Sequence, residues 1–125
     1  GSTGDPCSKL NTAYYGTGWR TPSNNELEKL SQCTDKVFTN NGMWFMNKSL
    51  GVFLKAGGVR QESGAGTGGA GYTDHGCYWT STIGTSKNAY NMEFWNTEAH
   101  VNNTSSWFGL QTNGLLIRCV KGTKQ

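Results

Sequence analysis

The chain has 125 residues, of which 34% are hydrophobic, 12% aromatic and 15% charged, with 18 glycines and a net charge of +3. That length allows one domain burying roughly two-thirds of its unfolded surface, and the profile suits a loop-rich β domain better than a helical bundle or a disordered tail. The positive charge is scattered rather than gathered into a basic stripe, so nucleic acid is not an expected partner. No apolar run exceeds four residues, so no membrane insertion of this domain is expected.

Residues 1–4, Gly-Ser-Thr-Gly, read as a linker or cloning remnant. Four cysteines follow at wide spacing: Cys7, Cys33, Cys77 and Cys119. None belongs to a Cys-x-x-Cys pair, which removes the usual zinc and thioredoxin-like readings. An even number in a small domain fits two disulfides and export; four buried free thiols in a cytosolic protein are the competing reading. Three connectivities are open.

The clearest element is a helix after Trp19-Arg20. Ser23 with Glu26 fits a capping box, while Thr21 with Pro22 offers an alternative start. Leu27 and Leu30 share its inner stripe, with Cys33 one step further along. Asn40-Asn41-Gly42 signals a turn. Residues 43–47 (Met-Trp-Phe-Met-Asn) and 51–58 (Gly-Val-Phe-Leu-Lys-Ala-Gly-Gly) then read as a hairpin.

Residues 62–71 hold five glycines and read as loop. No Gly-Lys-Ser/Thr follows and no βαβ unit surrounds them, so nucleotide binding is not expected there. The strand candidates beyond are 77–82, 89–95, 106–112 and 114–121. In 89–95, Tyr90, Met92 and Phe94 alternate with Asn91 and Glu93, the period of a half-buried strand. Asn113-Gly114 is a tight-hairpin signal. The fold class expected is α+β: one or two short helices packed on a twisted antiparallel sheet with long loops.

Three stretches taken together, Asp5-Pro6-Cys7 with 18–30, Gly76–Thr82 with 89–94, and Asn113–Lys121, resemble a bacterial domain family first described as a major paralogous group in Fibrobacter succinogenes. That family is common in surface proteins of the Bacteroidetes and has a C-type-lectin-like fold; the resemblance spans residues 5–121. It implies that the chain ends lie together and are joined by a Cys7–Cys119 bridge, leaving Cys33–Cys77 as a second pair. It also implies scaffold roles: Trp19, Trp79, Ser81 and Thr82 in the core, and Arg20 anchoring a carboxylate or carbonyls. The localisation implied is extracellular, on a bacterial cell surface or fimbria.

The fold that the resemblance implies presents ligands on long loops and neighbouring strands. Here that surface combines Asp74 and His75 with Trp95, Asn96, Glu98, His100, Asn102, Asn103 and Trp107, the last seven within 13 residues. Amides and carboxylates bond sugar hydroxyls in pairs, and a Trp face packs on pyranose C–H groups. Tryptophans folded back into the core are the competing arrangement.

Calcium is not expected. It needs six to eight oxygens, and both prolines lie in the first 22 residues, so the Pro-containing loop of sugar-binding animal lectins is missing; "WNTE" at 95–98 is a faint echo of their strand motif. Asp74, Glu93 and Glu98 read as solvated surface charges, and no metal site is assigned. Asp74-His75 does not make a triad, since neighbours on a strand point oppositely, and Ser81 lacks the nucleophile elbow. No two acids are placed in one cleft for glycosidic cleavage. Formylglycine-generating enzymes share a related fold and a reactive cysteine pair, but two structural bridges would occupy all four thiols.

The expectation is a non-enzymatic adhesin-like module without cofactor. Its partners would be a glycan or protein on a host or neighbouring cell, with fimbrial subunits as further partners. A structural domain that caps or joins a surface filament, or a hypervariable ligand-binding scaffold, is the alternative.

Overall fold

The structure is a computed structural model and describes residues 4–46, 51–60, 66–67, 74–84, 88–96, 98–102 and 114–125. After a 3₁₀ turn at Pro6–Lys9 come α1 (Thr12–Tyr15), β1 (Trp19–Arg20), α2 (Asn24–Ser31), β2 (Lys36–Thr39), β3 (Gly42–Phe45) and β4 (Val52–Lys55). Then follow β5 (Val59–Arg60), β6 (Gly66–Thr67), β7 (His75–Ile83), β8 (Ala89–Trp95), β9 (Glu98–Asn102) and β10 (Val120–Lys121). The class is α+β, with short helices and antiparallel sheets.

The single sheet expected from the sequence is instead divided among four pairings: β1–β10, β2–β3–β4, β5–β6 and β7–β8–β9. Irregular backbone joins some of them. Gly57 and Gly58 donate to the His75 carbonyl at 3.1 and 2.9 Å, linking the segment after β4 to the start of β7. Residues 114–121 do not form one continuous strand. Leu116 bridges Tyr78 in parallel, and only Val120–Lys121 returns to pair with β1. Part of the glycine-rich stretch also pairs, Gly66–Thr67 against Val59–Arg60. The 106–112 strand candidate and Asn113 lie outside the described residues.

Local chemistry accounts for α2 and the first hairpin. Ser23 Oγ accepts from the Glu26 N–H at 3.3 Å and Glu26 Oε2 accepts from the Ser23 N–H at 2.8 Å, the reciprocal capping box. Thr21 does not cap; its N–H and hydroxyl donate to the two oxygens of buried Asp5 at 2.9 and 2.7 Å. Asn40 (φ 52°) and Asn41 (φ 58°) are both left-handed, as a two-residue hairpin turn requires. They close β2 onto β3 through Thr39 and Gly42. That strand β2 went unread in the sequence.

The core gathers Leu27, Met43, Phe45, Leu54, Ala56, Tyr78, Met92 and Phe94, with Leu30, Val101 and Leu116 packed against it. Phe94 lies edge-on to Phe45 at 5.7 Å and stacked on Tyr78 at 6.1 Å. Gly76 makes room for it, since a Cβ there would meet the Phe94 ring at 2.1 Å.

The chain ends lie together, as the resemblance implied. Cys7 is bonded to Cys119 across 112 residues, with Cα atoms 5.6 Å apart. Arg20 anchors both a carboxylate and carbonyls: its guanidinium meets Glu26 in a fork (2.7 and 2.6 Å) and donates to the carbonyls of Gly122 and Thr123, each at 2.8 Å. Thr82 Oγ1 accepts from the Asn24 N–H at 3.1 Å and donates to Asn24 Oδ1 at 2.9 Å, holding the start of α2. The Ser81 N–H donates to the Pro22 carbonyl at 2.7 Å.

Three expectations fail. Cys33 and Cys77 are not bonded: Cys33 sits past the end of α2 with its sulfur 4.0 Å from the Lys29 carbonyl, whereas Cys77 is fully buried within β7. Trp19 is only half-buried, its indole N–H donating to the Tyr15 carbonyl at 2.8 Å beneath Lys121. Trp79 is likewise half-buried and lines a cleft of about 470 Å³ with Asp5, Pro6, Ile83, Ile117 and Lys124.

Two stability tests follow from the chain-end clasp. Reducing Cys7–Cys119, or replacing both with Ala, should lower unfolding free energy by about 2–5 kcal/mol in urea titrations. The hydrogen bonds from Arg20 hold the Glu26 carboxyl at about 2, down from its usual 4.5. Because the folded value is the lower one, this stabilisation is complete above about pH 4.5 and is lost as pH falls through about 2. Glu26→Gln should therefore be less stable at neutral pH by about 1–3 kcal/mol, because solvent reaches the pair and weakens it. Its urea midpoint should also change less than the parent's between those two pH values.

Candidate functional site

Strand β8 is central in the β7–β8–β9 sheet, and its alternation gives that sheet two unlike layers. Directly opposed residues share a face. Gly76–Phe94–Ala99 and Tyr78–Met92–Val101 form rows of the layer that meets the core. The other layer has three rows: His75–Trp95–Glu98, Cys77–Glu93–His100, and Trp79–Asn91–Asn102. A register shift after Trp79 ends this regular pattern, with Thr80 Oγ1 donating to the Tyr90 carbonyl at 2.9 Å.

The register thus collects onto one layer five residues nominated from sequence: His75, Trp95, Glu98, His100 and Asn102. Asn96 adjoins them in the β8–β9 turn with φ 50°, and Asp74 is exposed one residue before β7. Asn103 and Trp107 lie outside the described residues. Trp95 is not a core residue. Its ring is stacked on His75 at 5.2 Å and meets His100 edge-on at 5.1 Å.

The same layer contains residues that sequence reasoning passed over. Glu93 is 7% exposed and Asn91 is 0% exposed, so Glu93 is not the solvated surface charge expected. The half-buried-strand reading of 89–95 had the period right but the polar side wrong, because that side is covered too. His75 Nε2 and His100 Nε2 lie 3.4 and 3.9 Å from Glu93 Oε1. The other oxygen accepts from Asn102 Nδ2 at 3.3 Å, and Asn102 Nδ2 also donates to Asn91 Oδ1 at 3.0 Å. Asn91 Nδ2 is buried with no hydrogen-bond partner among the described residues. Such a donor costs about 1–3 kcal/mol if left unmade, and is the kind of group an ordered water or ligand atom satisfies.

Cys77 faces Glu93 across the strand pair. Burial, with the Glu93 charge adding to it, pushes its thiol up to about 12. A nucleophilic cysteine needs the reverse, an electropositive and partly open setting, so Cys77 alone is chemically quiet. The sequence signal for the group was partial: the strand expected at 77–82 begins at Cys77 and left His75 outside, whereas β7 begins at His75 and so sets the two residues on one face two positions apart.

The layer therefore grades from a buried floor of Cys77, Glu93 and Asn91, the last two joined through Asn102, to an exposed edge of Asn96, Glu98 and His100. The floor fixes side-chain directions and the edge offers amide, carboxylate and imidazole groups beside an indole. No protein-family model, curated protein or solved structure matches the chain. No helix among the described residues is long and apolar enough to cross a membrane.

The burial difference gives a direct check. In chelator-treated native protein, a small thiol reagent should label Cys33 and leave Cys77 unmodified until denaturant is added, when two thiols should be counted. Rapid labelling of Cys77 in the native state would contradict the buried floor.

Proposed function

We propose that this chain is a non-enzymatic, exported ligand-binding domain of the C-type-lectin-like kind, with an adhesin-like role in a bacterial cell-surface or fimbrial protein. The observation that carries this reading is the exposed edge of Asn96, Glu98 and His100 around half-buried Trp95. It stands on the opposite face of the β7–β8–β9 sheet from the core. A glycan fits this edge best: vicinal hydroxyls pair with an amide and a carboxylate, and the uncovered parts of the indole pack on C–H groups. One Trp95 face is already taken by the His75 ring, so affinity rests more on the polar groups than on full stacking. The Cys7–Cys119 bridge supports an oxidising, extracellular setting. The paired chain ends support the lectin-like fold.

A filament-capping or joining role is the second reading. It draws on the cleft beside the chain ends and on Ile83, 73% exposed at its rim. Ile117, 41% exposed, lines the same cleft, and the two isoleucines together give an apolar rim that suits contact with another subunit.

A glycan array probed with and without calcium identifies the ligand class. Asn96→Gly, which keeps the left-handed backbone at φ 50°, with Glu98→Ala should then reduce binding by at least about tenfold, equivalent to ~1.4 kcal/mol. Because both residues are exposed, unfolding free energy should stay within about 1 kcal/mol of the parent. Full binding by the double variant would remove this edge as the ligand face. A blank array, with Ile83→Asp disrupting assembly of the parent filament, would favour the capping role.

A further inference from the structure

We propose that His75, Cys77, Glu93 and His100 form a binding site for a zinc-class divalent transition metal that ties β7, β8 and β9 together. The first three already present a nitrogen, a sulfur and an oxygen within 4.8 Å of one another. The register explains why. His75 and Cys77 are two apart on β7, Glu93 stands opposite Cys77, and His100 stands opposite Glu93.

The distances suit coordination better than direct hydrogen bonding. His75 Nε2 is 3.4 Å from Glu93 Oε1, beyond the usual N–H···O limit of about 3.2 Å. Two metal bonds of about 2.0–2.1 Å meeting near the tetrahedral angle separate their ligand atoms by roughly 3.3–3.4 Å. His100 Nε2 lies 3.9 Å from the same carboxylate oxygen but outside the cluster that the other three donors form, so its partly exposed side chain turns toward them to serve as the fourth ligand.

The donor set selects the ion class. One thiol, two imidazoles and one carboxylate suit zinc or cobalt, whereas calcium and magnesium require oxygen ligands throughout. Burial selects it further. Cys77 is 0% and Glu93 7% exposed, and a thiolate beside a carboxylate in that setting is repulsive until a divalent cation stands between them. Metal uptake therefore releases the thiol proton to solvent, leaving a metal–thiolate bond.

The support beyond the ligands is also in place. Asn102 holds the far oxygen of Glu93, leaving Oε1 toward the two histidines. Asn102 is itself tied to Asn91. Outer groups of this kind orient a ligating carboxylate. With its side chain 47% exposed, His100 occupies the side from which an ion enters. This inference rests on the geometry of the sheet and stands whether or not the exposed edge binds a glycan.

The test is titration of chelator-treated, disulfide-intact protein with Co²⁺, followed by displacement with Zn²⁺. One equivalent of Co²⁺ should bind, giving a thiolate-to-cobalt charge-transfer band in the near ultraviolet and intense visible bands of tetrahedral geometry. Zn²⁺ should bleach both. Cys77→Ser should lose the charge-transfer band, while His75→Ala and Glu93→Gln should weaken binding by at least about 100-fold. Cys33→Ser should behave as the parent. If Cys77→Ser does not fold, His75→Ala decides, because that side chain is partly exposed and its variant's thermal transition can be read beside its metal affinity. A folded protein that gives no charge-transfer band overturns the proposal, as does a band lost in Cys33→Ser instead of Cys77→Ser. Unchanged cobalt affinity in folded His75→Ala also overturns it.

Discussion

Strand β8 can lie between β7 and β9 in only one useful register. A slip of one residue would turn Met92 and Phe94 away from the core and put Asn91 and Glu93 into it. The first exchange takes two large apolar side chains out of the hydrocarbon core and sets them among polar groups. The second buries a carboxylate against hydrocarbon without its partners, which is worse. The same register that satisfies the core therefore places His75, Cys77, Glu93, His100, Asn91 and Asn102 side by side. The polar layer is a direct consequence of packing the apolar one.

The chain ends are secured at a different place and by different means. Arg20 meets Glu26 and two carbonyls near the C-terminus, while Asp5 accepts from Thr21 and Cys7. Burial alone would raise the Asp5 carboxyl, yet its hydrogen bonds to Thr21 and Cys7 win and hold it below its ordinary value. Glu26 does two jobs at once, capping α2 and receiving the Arg20 fork. With the disulfide, these contacts close the molecule far along the chain from the β8–β9 turn, so the polar layer is not needed to hold the ends.

That separation matters for what the polar layer can do. A buried floor of mutually held groups keeps an exposed edge in one geometry without asking the edge to stabilise the fold, which is the arrangement that binding surfaces on rigid elements need. It also concentrates a thiol, two imidazoles and a carboxylate where each lacks full hydration. Polar clusters of this kind are stable when every member is satisfied, and a cation shared among them satisfies several at once. The proposed ligand edge and the proposed metal site are thus two uses of one layer, and they meet at His100.

Local patterns were legible in the sequence wherever neighbouring residues suffice to make them. The Ser23/Glu26 capping box, the 89–95 strand and the Asn40-Asn41 turn needed only short-range hydrogen bonding and backbone preference. Of the polar and aromatic residues singled out between 95 and 107, Trp95, Glu98, His100 and Asn102 lie on one layer of the β8–β9 pair. Cys7–Cys119 came from resemblance, since spacing alone left three pairings open. What the tertiary structure decided was coverage and partnership. Alternation in 89–95 marks two faces but not whether both are covered, so Glu93 read as a surface charge when it is buried. Cys77 read as half of a bridge because nothing local says which strand will lie beside it. Its neighbours are instead His75, Glu93 and, one strand further, His100, and only the pairing of β7 with β8 and of β8 with β9 puts them within reach.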